Sequence, residues 1–101
     1  MVCVSGYKGL KVYQRSYRAA KAVYEMTEGF PAEERYGITN QLRRASLSIP
    51  LNIAEGYAKR ESQEEFKRYL KIAIGSSNEM PVLTDFSKDV GHISEETHRK
   101  A

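Results

Sequence analysis

The run Gln41-Leu42-Arg43-Arg44-Ala45-Ser46-Leu47-Ser48-Ile49-Pro50-Leu51-Asn52-Ile53-Ala54-Glu55-Gly56 decides the fold. With Ile38 in front and Tyr57 behind, it places apolar side chains at 38, 42, 45, 49, 53 and 57. Steps of three and four close on one face of an α-helix, whereas a half-buried strand needs alternation with period two. Pro50 removes the backbone bond to the carbonyl of Ser46, yet the apolar phase is the same on both sides of it. One helix over about 38–60, bent at Pro50, is therefore expected rather than two.

Upstream, Leu10, Tyr13, Tyr17, Ala20 and Tyr24 recur at the same helical spacing, with Val12, Ala19, Val23, Met26 and Phe30 as a second row beside them. These rows predict a helix over about 8–28, ended by Gly29 and Pro31. Downstream, Ser62 with Glu65 three residues later has the form of a capping box. It opens a helix over about 62–90 whose seam reads Phe66, Leu70, Ala73, Ser77, Met80 and Leu83, with Tyr69 and Phe86 flanking. Pro81 is expected to bend or split that helix near Met80, and Gly91 to stop it. Ser94 followed by Glu95 and Glu96 reads as the start of a short fourth helix at 94–101. The fold class is all-α, an up-down antiparallel helical bundle with a short or truncated fourth helix.

A chain of 101 residues is one domain, with the hydrophobic (41%) and charged (29%) fractions of a globular rather than a disordered protein. A domain of this size buries only about 60–65% of its unfolded surface, so self-association would add stability. The single cysteine, Cys3, can form no disulfide within the chain, and residues 1–9 show neither a secretory pattern nor a long apolar run. No stretch reaches the roughly 18–20 apolar residues of a membrane span. The expectation is a cytoplasmic protein. Its net charge of +3 is unevenly placed: residues 1–24 hold five basic side chains and no acid, residues 25–34 hold four acids and no base. Such asymmetry points to a polyanionic partner, although amphipathic helices carry charged outer faces in any case.

These segments resemble a known family. Leu10, Val12, Tyr13 and Gln14 opening a helix, Phe30-Pro31, and Glu34-Arg35-Tyr36-Gly37-Ile38-Thr39 are similar to the bacterial 23S rRNA-intervening sequence proteins, which are four-helix bundles. The most specific part is Gln41-Leu42-Arg43-Arg44-Ala45, then Ser48-Ile49-Pro50 and Asn52-Ile53-Ala54-Glu55-Gly56, joined by Glu65-Phe66, Arg68-Tyr69-Leu70, Gly75-Ser76 and Glu79. The resemblance spans about residues 8–94. It implies an antiparallel bundle and ring-like homo-oligomers, a pentamer among them. A similar protein serves as the accessory subunit of diversity-generating retroelements, where a basic pentamer engages a reverse transcriptase and nucleic acid. Two features depart from the family pattern. Members usually carry a full fourth helix after the Gly-x-Ile-Ser segment, and Pro81 stands where they keep a helix-compatible residue.

Candidate residues follow from charge and placement. Arg43 and Arg44 are the leading nucleic-acid candidates, since guanidinium forks match phosphate and stay charged; the alternative has one of them paired with Glu55 or Glu79 and the other solvated. Lys8, Lys11, Arg15 and Arg18 on the first helix, and Lys67, Arg68 and Lys71 on the third, form rows that could track a phosphate backbone or serve as solvated faces. Ser48, Asn52, Glu55 and Glu79 are read as a structural polar network with the arginines. The seven tyrosines could stack on bases but at helical spacing read first as core or interface aromatics. His92 and His98 are six apart and not on one helix face, and no cluster with zinc-ligand spacing, catalytic triad or phosphate loop accompanies them. No cofactor or catalytic residue is expected. The sequence points to a non-enzymatic, homo-oligomeric bundle that binds RNA or DNA, or else to a protein-interaction scaffold without a nucleic-acid role.

Overall fold

The computed structural model describes residues 6–94, all of whose regular structure is helical. Three long helices, α1 (Lys11–Thr27), α2 (Ile38–Ala58) and α3 (Gln63–Asp89), are joined by short connections, with single 3-10 turns at Tyr7–Gly9 and Ala32–Glu34. The all-α class is as read from the sequence. The fourth helix expected from residue 94 falls almost wholly outside the described residues.

The helix ends follow local chemistry. At α1 the Gln14 side-chain amide donates to the carbonyl of Lys8 at 2.8 Å, tying down the preceding turn where no side chain caps the helix itself. Ser62 caps α3 as expected, its Oγ accepting from the backbone N–H of Glu65 at 3.2 Å. The other half of the capping box does not form, because the Glu65 carboxylate pairs with Arg68 at 3.0 Å. Gly91, at φ +86°, takes the left-handed turn after α3; the Gly91 N–H reaches the carbonyl of Lys88 and the His92 N–H that of Ser87.

Neither proline splits its helix: α2 runs through Pro50 and α3 through Pro81. Tertiary packing outweighs the single lost backbone bond at each. On α2 the seam read from the sequence is inward, with Ile38, Leu42, Ala45 and Ile53 buried and Ile49 and Tyr57 half-buried, and Thr39, Ser46, Pro50 and Gly56 are buried beside it. The α3 seam is as read at Phe66, Leu70, Ala73, Met80 and Leu83, all buried or half-buried, and differs at Ser77. Ser77 is exposed and Phe86 is 55% exposed, while Ala73, Thr84 and Ser87 are buried and Ser76 is half-buried. The inward face passes through Ser76, whose hydroxyl bonds Ser48 on α2, instead of Ser77, and continues to Thr84 and Ser87.

α2 lies in the middle. It packs on α1 along one flank and on α3 along the other, and no Cα of α1 comes within 8 Å of a Cα of α3. The core is densest at one end, where Val23, Phe30, Ile38, Leu42 and Ile93 are buried together with Met26, Met80 and Leu83 against them. Buried hydroxyls cost nothing unpaired there: Thr27 donates to the carbonyl of Val23, Ser46 to Arg43, Thr84 to Met80 and Ser87 to Leu83. At the far end the α2–α3 spacing is set by Gly56, where a Cβ would stand 3.1 Å from Tyr69 Cβ and 3.4 Å from the Phe66 carbonyl oxygen.

Candidate nucleic-acid interface

The outer side of α1 is the most one-sided surface of the molecule. Lys8, Lys11, Arg15, Arg18 and Lys21 are all exposed, and no acid occurs between Gly6 and Tyr24. Among the described residues none of the five takes part in an ion pair. Lys11, Arg15 and Arg18 stand at steps of four and three, on one face of the helix, so their charges add along its axis.

A tyrosine edge adjoins this row. The rings of Tyr7 and Tyr13 meet edge-on at 4.8 Å, and those of Tyr13 and Tyr17 stack at 5.9 Å with 29° between planes. That spacing matches the rise of about 6 Å over four residues of helix, so the two rings lie one above the other along α1. Tyr17 is 48% and Tyr24 39% exposed. Of the two expectations for the tyrosines, core or interface, the core one does not hold: Tyr17, Tyr24 and Tyr36 are exposed, the other four only half-buried. The buried row of α1 is instead Ala20, Val23 and Thr27, because small side chains let α1 approach α2 and push the rings to the flank.

Arg43 and Arg44 part company. Arg43 is half-buried, donates from Nε to Thr27 Oγ1 at 2.7 Å and from a terminal nitrogen to the Tyr24 carbonyl at 3.1 Å, and holds its guanidinium 4.4 Å from the Tyr24 ring centroid. The partner is thus an aromatic edge and a helix end on α1, not the acid that sequence reasoning put forward. Arg44 is exposed and lines an open cleft of about 670 Å³ between α2 and α3 with Asn40, Gln41, Ser48, Asn78 and Glu79. Arg44 and Glu79 share the cleft without an ion pair between them.

The polar network forms in part. Asn52 Nδ2 donates to the carbonyl and Oγ of Ser48 at 2.7 and 3.0 Å, and Ser76 Oγ donates to Ser48 Oγ at 2.8 Å, linking α2 to α3. Glu55 is outside it, bound instead to Lys59 at 3.2 Å, and Glu79 lies in the cleft. The carboxylate of Glu55 raises the Lys59 ammonium pKa above its ordinary value.

The third-helix cations lie apart from α1, across α2. Lys67 and Lys71 are exposed, and Arg68 pairs with Glu65 and sits 4.3 Å from the Tyr69 centroid. That hydrogen bond lowers the Glu65 carboxyl and raises the Arg68 guanidinium. The two basic rows are therefore separate surfaces.

Sequence reasoning did not find the pair between His92 Nε2 and Glu34 Oε2, 3.1 Å apart and 58 residues distant in the chain, with the Phe30 ring 5.1 Å from the imidazole. Glu34 Oε1 also accepts from the Ile38 N–H at the start of α2. His92 first and this amide second hold the Glu34 carboxyl below the usual carboxylate range. No local spacing announces this contact. The Tyr13–Tyr17 stack, by contrast, was visible as an i, i+4 pair.

No group of three or more metal-binding side chains occurs among the described residues, and no helix is long and apolar enough to cross a membrane. No curated protein matches the chain. The sequence model of the 23S rRNA-intervening sequence protein matches residues 8–101. With that match over nearly the whole helical array, the chain belongs to the 23S rRNA-intervening sequence protein family.

Proposed function

We propose that this protein is a non-enzymatic, oligomeric helical bundle that binds nucleic acid along the outer side of α1. The observation that carries the reading is the run of five exposed cations from Lys8 to Lys21 with no acid among them and no ion pair to a described residue. Cations already neutralised within the protein gain little from phosphate, whereas solvated ones release counterions from the nucleic acid on binding. The bundle is proposed to be of the four-helix type, its open corner lying between α1 and α3, whose Cα atoms nowhere come within 8 Å of each other. Family resemblance extends the proposal to a ring-like assembly, such as a pentamer, and to a reverse transcriptase as protein partner.

The test is fluorescence anisotropy of a labelled RNA or DNA at about 50 and 200 mM salt. Five phosphate contacts predict a loss of roughly two to three decades in affinity across that range. Changing Lys11, Arg15 and Arg18 together to Gln should lower affinity and flatten the salt slope by about three. Absence of binding at the lower salt would remove the reading.

A second reading, a protein-interaction scaffold without nucleic acid, is favoured by α3. Val82, Phe86 and Val90 follow at four-residue steps and are 67%, 55% and 46% exposed, beside the cleft that holds Arg44 and Glu79. Exposed apolar rows of this kind mark interfaces. Light scattering of Phe86→Asp beside the oligonucleotide titration decides: dissociation of an oligomer in a protein that binds no nucleic acid supports this reading, and unchanged particle mass removes the α3 interface.

A further inference from the structure

We infer that the α1 surface selects unpaired bases: its ligand is single-stranded nucleic acid, held by stacking on Tyr17 while the adjacent lysines and arginines take the phosphates. The inference rests on the nucleic-acid reading and adds the class of strand.

Cations alone bind duplex and single strand alike, because both present phosphates. Discrimination needs a group that a base can reach only when it is out of a duplex, and an exposed aromatic face is such a group. Tyr17 stacks on Tyr13 with one face, and its ring has no other aromatic or cationic partner among the described residues. It remains 48% exposed. Tyr13 buttresses it at 5.9 Å and is itself met edge-on by Tyr7 at 4.8 Å, so the platform is ordered before a ligand arrives. Tyr24 stands seven residues further on with the Arg43 guanidinium 4.4 Å from its centroid, and Arg43 is itself anchored to Thr27. The axial distance from Tyr17 to Tyr24 is about 10.5 Å. Three stacking intervals of about 3.4 Å fit that distance, which is room for two bases between the platforms.

The cations are placed to follow the strand. Lys21 lies four residues after Tyr17 and three before Tyr24, so it borders the same slot. Lys11, Arg15 and Arg18 run along the neighbouring face. From Lys11 to Lys21 is about 15 Å of helix, with Lys8 in the turn just before it, which spans about four nucleotides at stacked spacing. A double helix laid on the same row would meet the cations but could offer no base to Tyr17 without unpairing.

The experiment titrates the intact protein with labelled twelve-nucleotide oligo-dT, oligo-U and a twelve-base-pair duplex at low salt, for wild type, Tyr17→Leu, Tyr17→Phe and the Lys11/Arg15/Arg18→Gln triple variant. Circular dichroism and light scattering accompany each. The expected result is tighter binding of single strands than of duplex, a loss of roughly tenfold or more in single-strand affinity for Tyr17→Leu, and retention of that affinity by Tyr17→Phe. Duplex affinity should not move with either Tyr17 variant, and the triple variant should weaken every ligand. The chain holds seven tyrosines and no tryptophan, so quenching of tyrosine emission by oligo-dT reports stacking directly and should shrink in Tyr17→Leu. The oligo-dT and oligo-U arms distinguish DNA from RNA as the source of the strand.

Equal affinity for duplex and single strand, or no effect of Tyr17→Leu while the triple variant weakens binding, overturns this inference and leaves the nucleic-acid reading standing. No binding of any ligand overturns both. A change in particle mass for Tyr17→Leu with single-strand affinity intact identifies the tyrosines as subunit contacts and also ends the proposal.

Discussion

The end of the molecule around Leu42 and the outer side of α1 are built on opposite principles. At the first, Val23 from α1, Phe30 from the connection after it, Ile38 and Leu42 from α2 and Ile93 from the turn after α3 converge, and Leu42 is wholly buried. At the second, five cations and a tyrosine edge stand in solvent with almost no partners. Stability is concentrated where side chains come from distant parts of the chain, and unspent charge lies where one helix contributes everything. The comparison teaches that the charges on the outer side of α1 are not engaged in ion pairs with the described residues, which is the feature the proposed function uses. Arg43 sits on the border, its guanidinium held by Tyr24 and Thr27 rather than left in solvent.

The largest expected effect tests the packed end. Leu42→Ala should cost about 2–5 kcal/mol, a large share of what a domain of this size possesses. Thermal melting should show a fall on the order of ten degrees or more. A loss below about 1 kcal/mol would break the contrast, because it would mean that the cluster can collapse around the cavity.

Next comes Gly56→Ala. Alanine raises helix propensity by about 1 kcal/mol, but the new methyl meets Tyr69 Cβ and the Phe66 carbonyl, neither the tip of a flexible chain. Pushing α3 away should outweigh the gain and leave a net loss of about 1–2 kcal/mol in urea unfolding. Stabilisation instead would show the α2–α3 spacing to be soft at the end away from the core.

Arg43→Lys sharpens the border between the two regions. It preserves charge but cannot keep both hydrogen bonds and the planar contact with Tyr24, so about 1 kcal/mol of stability should be lost. Nucleic-acid affinity should change little. If stability holds and affinity falls, Arg43 belongs to the basic surface after all.

The smallest effect concerns pH. The Glu34 carboxyl titrates lower in the folded protein because His92 and the Ile38 amide favour its charged form. Its contribution is therefore complete above the unfolded value of about 4.3 and is lost as pH falls through the folded one. Melts of wild type and Glu34→Gln should differ at neutral pH and converge in acid. A difference that persists unchanged at low pH would show the contact to be steric rather than ionic.

Helix positions were legible because their signals are local. The apolar phase through Pro50, the Ser62 cap and the stop at Gly91 each depend on residues three to six apart, and each stands where it was read. The candidate site was legible only as a list of cations. That Lys11 to Lys21 form one surface follows from a single helix, but that Lys8 stands in a separate turn before it and that Lys67, Arg68 and Lys71 lie across α2 does not.

By itself, then, the sequence determined three amphipathic helices, their ends and a basic first helix, since backbone hydrogen bonding and side-chain periodicity act within a turn or two. Only the tertiary structure decided that Arg43 would lie on Tyr24, that Ser48 would bond Ser76, that His92 would reach Glu34 and that Tyr17 would be left in solvent. Each of these depends on how far one helix slides and rotates against its neighbour. That register is set by the summed fit of small and large side chains along α2, a quantity that no short stretch of sequence contains.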